Sequence, residues 1–209
     1  MAKVEPFEKY TRRYDEWFEK SRFAYESELQ AVKSVWPEQG VGIEIGVGTG
    51  RFAAPLGIKF GVEPSISMGQ VARRRGINVI RGVAEALPIK GENFEIVLMI
   101  TVICFVDDIE TALREGARVL KSGGFIIIGF IDRSSSIGAT YEEHKNENVF
   151  YKEANFYTPE EVDHYLKKAG FKDISFAQTI FRDLDEIDDI ESVKKGYGEG
   201  AFVVVKGVK

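Results

Sequence analysis

From Val41 onward the chain alternates short apolar runs with longer stretches in which apolar residues recur every three or four positions. The short runs read as strands and the periodic stretches as amphipathic helices. Ahead of them, Phe7 to Val35 predicts one helix. Tyr10, Tyr14, Trp17 and Phe18 recur at helical steps with charges between them, and Pro37 and Gly40 end it. Strands are predicted at Val41 to Ile45, Gly57 to Val62, Ile77 to Arg81, Phe94 to Ile100 and Phe125 to Ile131. Phe94 to Ile100 is almost unbroken in its apolar character, which suits a strand covered on both faces. Ser65 caps a helix running to Arg75, and Asp107 or Asp108 caps another through Leu120, stopped by Ser122-Gly123-Gly124. Thr158-Pro159-Glu160-Glu161 joins an N-cap, a proline at the first helical position and a capping-box glutamate. That helix runs to Ala169. Two final strands, Phe171 to Phe181 and Ala201 to Val205, flank the acidic run Asp183 to Glu191, which reads as a solvated loop or short helix face. Gly196-Tyr197-Gly198-Glu199-Gly200 reads as a turn between them.

Strands alternating with helices predict a doubly wound, mostly parallel α/β sheet, Rossmann-like and in three layers. Right-handed crossovers then bring the loop after each strand to one edge, where ligands bind. The 209 residues suit one domain, 1–209, with an N-terminal helical cap at 1–38. The polar stretch 132–157 has the length and mixed aromatic character of a lid or substrate loop.

Composition narrows the function. A net charge of -5 disfavours a nucleic-acid surface. Arg73-Arg74-Arg75 before Gly76 fits a helix C-terminus. Cys104 is the sole cysteine, flanked by Ile103 and Phe105, so it reads as a buried thiol in a reducing, cytoplasmic setting. No apolar run approaches the ~20 residues of a membrane span, and the N-terminus lacks an apolar signal core. His144 and His164 fit no metal-ligand spacing. The expected partner is a small molecule, with no nucleic acid, membrane or metal, and the chain is expected as a monomer or homodimer.

Glu44-Ile45-Gly46-Val47-Gly48-Thr49-Gly50 follows the first strand of the sheet. Its glycines permit a sharp turn and close approach of a ligand to the backbone. A Walker motif is absent, and Arg51 stands where a dinucleotide fingerprint needs its third glycine. A carboxylate at the head of the loop suits a ligand with positive charge.

The E-x-G-x-G-x-G form resembles motif I of class I S-adenosylmethionine-dependent methyltransferases, in particular the subgroup acting on quinones and small molecules. Glu63-Pro64-Ser65-Ile66-Ser67-Met68, Gly82-Val83-Ala84-Glu85-Ala86-Leu87-Pro88, Phe94 to Val97 with Thr101, and Arg118 to Gly124 are similar to later motifs in the family's order. Tyr14-Asp15-Glu16-Trp17-Phe18 is similar to the subgroup's first helix. The resemblance implies a seven-stranded sheet whose last strand, Ala201 to Val205, is antiparallel and inserted beside the fifth. It implies S-adenosyl-L-methionine as cofactor and S-adenosyl-L-homocysteine as product. Glu44 would face the cofactor's amino group, and Gly46, Val47, Gly48 and Gly50 would shape its methionine side. Glu63 would take the ribose hydroxyls, Pro64 and Met68 would line the adenine, and Ala84 and Glu85 would meet its polar edge. Thr101 and Val102 would lie near the sulfonium. Tyr14, Trp17 and Phe18 either roof the cofactor or pack in the core.

Methyl transfer needs positioning more than a fixed acid or base. Asp132 after the fifth strand, Tyr141 and His144 in the lid, and Tyr157 at its exit are the candidates for a catalytic group; His164, inside a helix, is a weaker one. The function expected is methyl transfer to a small-molecule acceptor by in-line displacement. The alternative is a cofactor-binding regulatory or interaction protein on the same fold without turnover.

Overall fold

The structure is a computed structural model describing residues 3–209. Its N-terminal part is three helices, α1 (Glu5–Lys9), α2 (Thr11–Lys20) and α3 (Arg22–Ser34), where the periodicity predicts one. The chain leaves helical geometry at Tyr10 (ψ 27°) and Ser21 (ψ 45°). A straight helix of this length would span about 43 Å, more than a small domain offers. The two breaks let the stripe wrap around the sheet instead.

The central elements follow as β1 (Gly42–Ile45), β2 (Phe60–Val62), α4 (Ile66–Arg74), β3 (Asn78–Ile80), β4 (Phe94–Ile100), α5 (Ile109–Val119) and β5 (Leu120–Ile131). Then come α6 (Ser136–His144), α7 (Pro159–Lys168), β6 (Lys172–Thr179), β7 (Lys194–Lys195) and β8 (Phe202–Val208). The sheet order is β3-β2-β1-β4-β5-β8-β6-β7. β1 to β5 are parallel, and β8 runs antiparallel between β5 and β6. The seven expected strands are present, and the two-residue β7 adds an eighth at the edge, paired with β6. Strand order reverses between β1 and β4, so the ligand crevice of such sheets lies at their carboxyl ends.

β4 shows why its sequence is so apolar. Val97 and Met99 enter the core under α5 and α7, while Ile96, Leu98 and Ile100 enter the core under the N-terminal helices. Each face of the sheet thus buries its own cluster. The helix starts lie where the caps put them. Ser65 Oγ accepts from the Met68 N–H (3.2 Å), and the Asp108 carboxylate accepts from Glu110 and Thr111. In α7, Thr158 Oγ1 accepts from the Glu161 N–H (3.3 Å) and the Glu161 carboxylate accepts from the Thr158 N–H (2.8 Å). Thr158→Ala is expected to lower unfolding free energy by about 1 kcal/mol, read as an earlier urea midpoint at unchanged slope.

The acidic run is a solvated loop with a short 3-10 turn at Leu184–Glu186, and it also serves as a strap. Leu184, Ile187 and Val193 pack on the core, and the buried Glu191 carboxylate accepts from the Phe181 N–H and Arg182 Nε (2.8 Å). The Glu191 N–H donates to Ser27 Oγ (2.8 Å), tying the strap to α3. The basic run does close α4, with Gly76 at φ +84°. Arg75 also reaches across to the Thr49 carbonyl and to Asp15. Among the described residues, no helix is long and apolar enough to cross a membrane.

Candidate active site

The loop between β1 and the next turn is folded back on β2. The Gly46 and Val47 N–H groups both donate to the Val62 carbonyl (2.8 and 3.0 Å). Gly46, Gly48 and Gly50 have φ of +69°, +52° and +84°, where side chains are disfavoured. A Cβ at Gly46 would also run into Val102 at the end of β4.

Glu63, the first residue after β2, closes the loop from the other side. One oxygen accepts from the Gly48 N–H (2.8 Å) and the other from the Ser65 N–H (2.9 Å). Burial pushes this carboxyl up to about 7, against the pull of those two donors. Each oxygen keeps a further lone pair toward the cavity it borders. Glu85 also borders the cavity, its carboxylate accepting from the Asp107 N–H (2.7 Å). Thr101, just past β4, has φ +52°, and Ile180, just past β6, has φ +65°. Both are β-branched and both line the cavity. Such strain persists only where the surroundings enforce it, and it clusters at functional sites.

The cavity is about 300 Å³. Gly46, Gly48 and Val102 form one wall, Glu63, Pro64 and Met68 the next, and Ala84, Glu85 and Thr101 the third. Tyr14, Trp17 and Phe18 cover it from α2, and Tyr141 enters from α6. The cap is latched over it. Asp15 on α2 takes Arg51 through both oxygens (2.9 and 2.9 Å) and Arg75 (2.8 Å), while Arg51 also pairs with Glu19. Burial alone would raise Asp15, but these guanidinium groups hold it well below the carboxylate range. The arginine that replaces the third fingerprint glycine therefore anchors the roof. Phe7 joins the cap to the lid, with Tyr14, Phe105 and Phe150 around its ring at 5.0–5.8 Å.

Other candidates lie behind the walls. Val47 and Gly50 are buried in the loop away from the cavity. Glu44 is 2% exposed, and its Oε2 has no hydrogen-bond partner. Burial raises it well above the usual range, and Glu63 adds to this. In β5, Ile131 faces the cavity, so the two-residue alternation of a strand turns Asp132 away. The Asp132 carboxylate accepts from the Ser134 N–H (2.8 Å). His144 is an exposed residue at the end of α6, its Nδ1 3.8 Å from Glu147. His164 is exposed, and Tyr157 packs edge-on to Tyr165 outside the cavity. Cys104 is buried, which pushes its thiol up to about 12. Among the described residues, no cluster of histidine, cysteine and carboxylate side chains could hold a metal.

The inner part of the cavity contains residues the motifs do not point to: Glu28, Ile137, Phe150, Tyr151, Ile180 and Leu184. For Glu28 a signal was present. It falls on the buried stripe of α3 with Ala24, Ala31 and Val32, an odd place for a carboxylate.

The comparisons agree with this geometry. A family model described as a methyltransferase domain matches residues 43–128. An uncharacterized protein of Methanocaldococcus jannaschii is 49% identical over 203 residues, covering 97% of this chain and 98% of its own. A ubiquinone biosynthesis O-methyltransferase of Azorhizobium caulinodans is 27% identical over 166 residues, covering 71% of this chain and 66% of its own. The crystal structure of an S-adenosylmethionine-dependent methyltransferase from Thermotoga maritima, described as a possible histamine N-methyltransferase, superposes with a TM-score of 0.96. It is 54% identical, and the match covers 98% of each chain. The chain belongs to the class I S-adenosylmethionine-dependent methyltransferases.

Proposed function

We propose that the protein transfers a methyl group from S-adenosylmethionine to a small molecule held in the inner part of the cavity. The observation that carries this reading is the continuity of the cavity. One space joins the glycine loop, Glu63 and Met68 to a chamber walled by Glu28, Tyr141 and Tyr151. Its volume of about 300 Å³ lies at the small end of ligand pockets.

The residues present fit the cofactor. At Gly48, which lines the cavity, a side chain would project toward Met68 and Tyr14, whose nearest atoms lie 3.6 and 3.7 Å away, into space a ligand would use. Glu63 offers lone pairs to a diol, while Pro64, Met68 and Ala84 offer an apolar bed to a flat ring. When bound, the cofactor supplies a sulfonium methyl group open to in-line displacement by a nucleophile. The chain's own work is to bind, orient and exclude water. The Gly46 and Gly48 backbone and Thr101 would hold the methionine end, and Glu85 would meet the polar edge of the ring. Tyr14, Trp17 and the lid aromatics keep solvent from the nucleophile. Tyr141 is the only one of the expected catalytic side chains within the lining, and burial pushes its hydroxyl up to about 12. It therefore acts in its neutral form, as a hydrogen-bond partner to the acceptor. Glu44, buried behind the loop with one oxygen free of hydrogen bonds, would be the group placed to meet the cofactor's amino group.

The test is release of S-adenosylhomocysteine during incubation with a panel of small amines, phenols and acids. Turnover on at least one acceptor is expected. Saturable cofactor binding with no turnover on any would favour a binding protein without catalysis.

A further inference from the structure

One carboxyl group faces the inner part of the cavity, beyond the residues assigned to the cofactor. Glu28 lines that space from α3 while only 6% exposed. Among the described residues its carboxylate accepts no hydrogen bond and meets no cation. Burial alone accounts for its titration, which is pushed up to about 8. Its charge bears on Tyr14, Tyr141 and Tyr151, which places it amid the aromatic cluster. Tyr141 and Tyr151 stack there with ring centroids 5.0 Å apart.

A carboxylate held in apolar surroundings without a partner is costly, and a folded chain keeps one where a ligand offsets the cost. Without a ligand, burial leaves the carboxyl protonated at neutral pH. A cation favours the ionised form and pairs with it, and aromatic faces attract the same kind of group.

We propose that the inner part of the cavity binds the protonated nitrogen of a small amine, with Glu28 as its ion-pair partner and the tyrosine stack against its apolar body. The ammonium N–H groups donate to the Glu28 carboxylate, and the carboxyl's own proton leaves to solvent as the cation enters. The amine's role as methyl acceptor rests on the methyltransferase reading, whereas its binding does not.

The probes are 2-phenylethylamine and its hydroxyl counterpart 2-phenylethanol, titrated calorimetrically with and without saturating S-adenosylhomocysteine. The wild type is expected to bind the amine at least tenfold more tightly than the alcohol. Glu28→Gln, matched in size, is expected to lose that preference while keeping its affinity for S-adenosylhomocysteine, which also shows that the variant is folded. Equal affinity for the two probes, no binding of the amine, or undiminished preference in Glu28→Gln would overturn the proposal. Failure of S-adenosylhomocysteine to bind counts against the methyltransferase reading alone, since the amine is also titrated against the free protein.

Discussion

Glu63→Ala is expected to weaken S-adenosylmethionine binding by on the order of 10²–10³-fold, measured by isothermal titration calorimetry. The side chain has two tasks that fail together. Its oxygens hold the Gly48 and Ser65 N–H groups, so its loss frees both the glycine loop and the start of α4. Its remaining lone pairs would accept from the ribose diol. Hydrogen bonds to a charged acceptor contribute about 1.5–3 kcal/mol each, and 1.4 kcal/mol is a factor of ten in affinity. Glu63→Gln is expected to fall between the two. It sets an NH2 group against one of the N–H donors but keeps the carbon skeleton over Gly69. A Glu63→Ala loss below about fivefold, in a protein with native circular dichroism, would remove Glu63 from the ribose site.

The second large effect is on stability. Glu28→Gln is expected to be more stable than the wild type at pH 8.5 and nearly equal to it at pH 4.5. In the unfolded chain this carboxyl titrates near its ordinary value of 4.5, and in the fold burial pushes it up to about 8. At pH 4.5 and below, both states hold the proton to a similar degree, so burial costs little. Between 4.5 and 8 the unfolded chain has released its proton and the folded chain retains it. Wild-type stability therefore falls as pH rises through that window and levels off above about 8. At about 1.4 kcal/mol per pH unit, the fall attributable to Glu28 is on the order of 4 kcal/mol. Glutamine has no proton to lose and lacks this slope. For a chain of this size the gap at pH 8.5 corresponds to roughly 8–16 °C in melting temperature. Glu63 and Glu44 are raised by burial too, but they contribute equally to both proteins and cancel in the difference. Parallel melting profiles from pH 4.5 to 8.5 would show that Glu28 is not buried as described.

The sheet was legible because burial on both faces leaves continuous apolar runs such as Phe94–Ile100. The helix starts were legible because Ser65, Asp108 and Thr158 are local devices whose partners lie within three residues. The motif residues after β1, β2 and β4 meet at one cavity because a doubly wound sheet brings strand ends to one edge. The inner part of the cavity was not legible in the same way. Leu184 and Ile180 reach it because the acidic strap is tied to α3 through Ser27 and Glu191, a contact 164 residues apart in sequence. The breaks at Tyr10 and Ser21 fall on residues that carry no breaking signal, and they follow from how the cap packs. His144 attracted notice as a chemical type, yet its position at the end of α6 leaves it in solvent. Glu28 was the reverse case: an ordinary glutamate in a charged helix, made unusual only by the face it occupies.

The central claim is that this cavity takes S-adenosylmethionine. Calorimetric titration of the wild-type protein with S-adenosylmethionine, repeated with S-adenosylhomocysteine and with NAD, tests it most directly. Saturable binding of both sulfur ligands at about one site per chain is expected, each displacing the other, with no heat from NAD. Binding of NAD without binding of either sulfur ligand would contradict it.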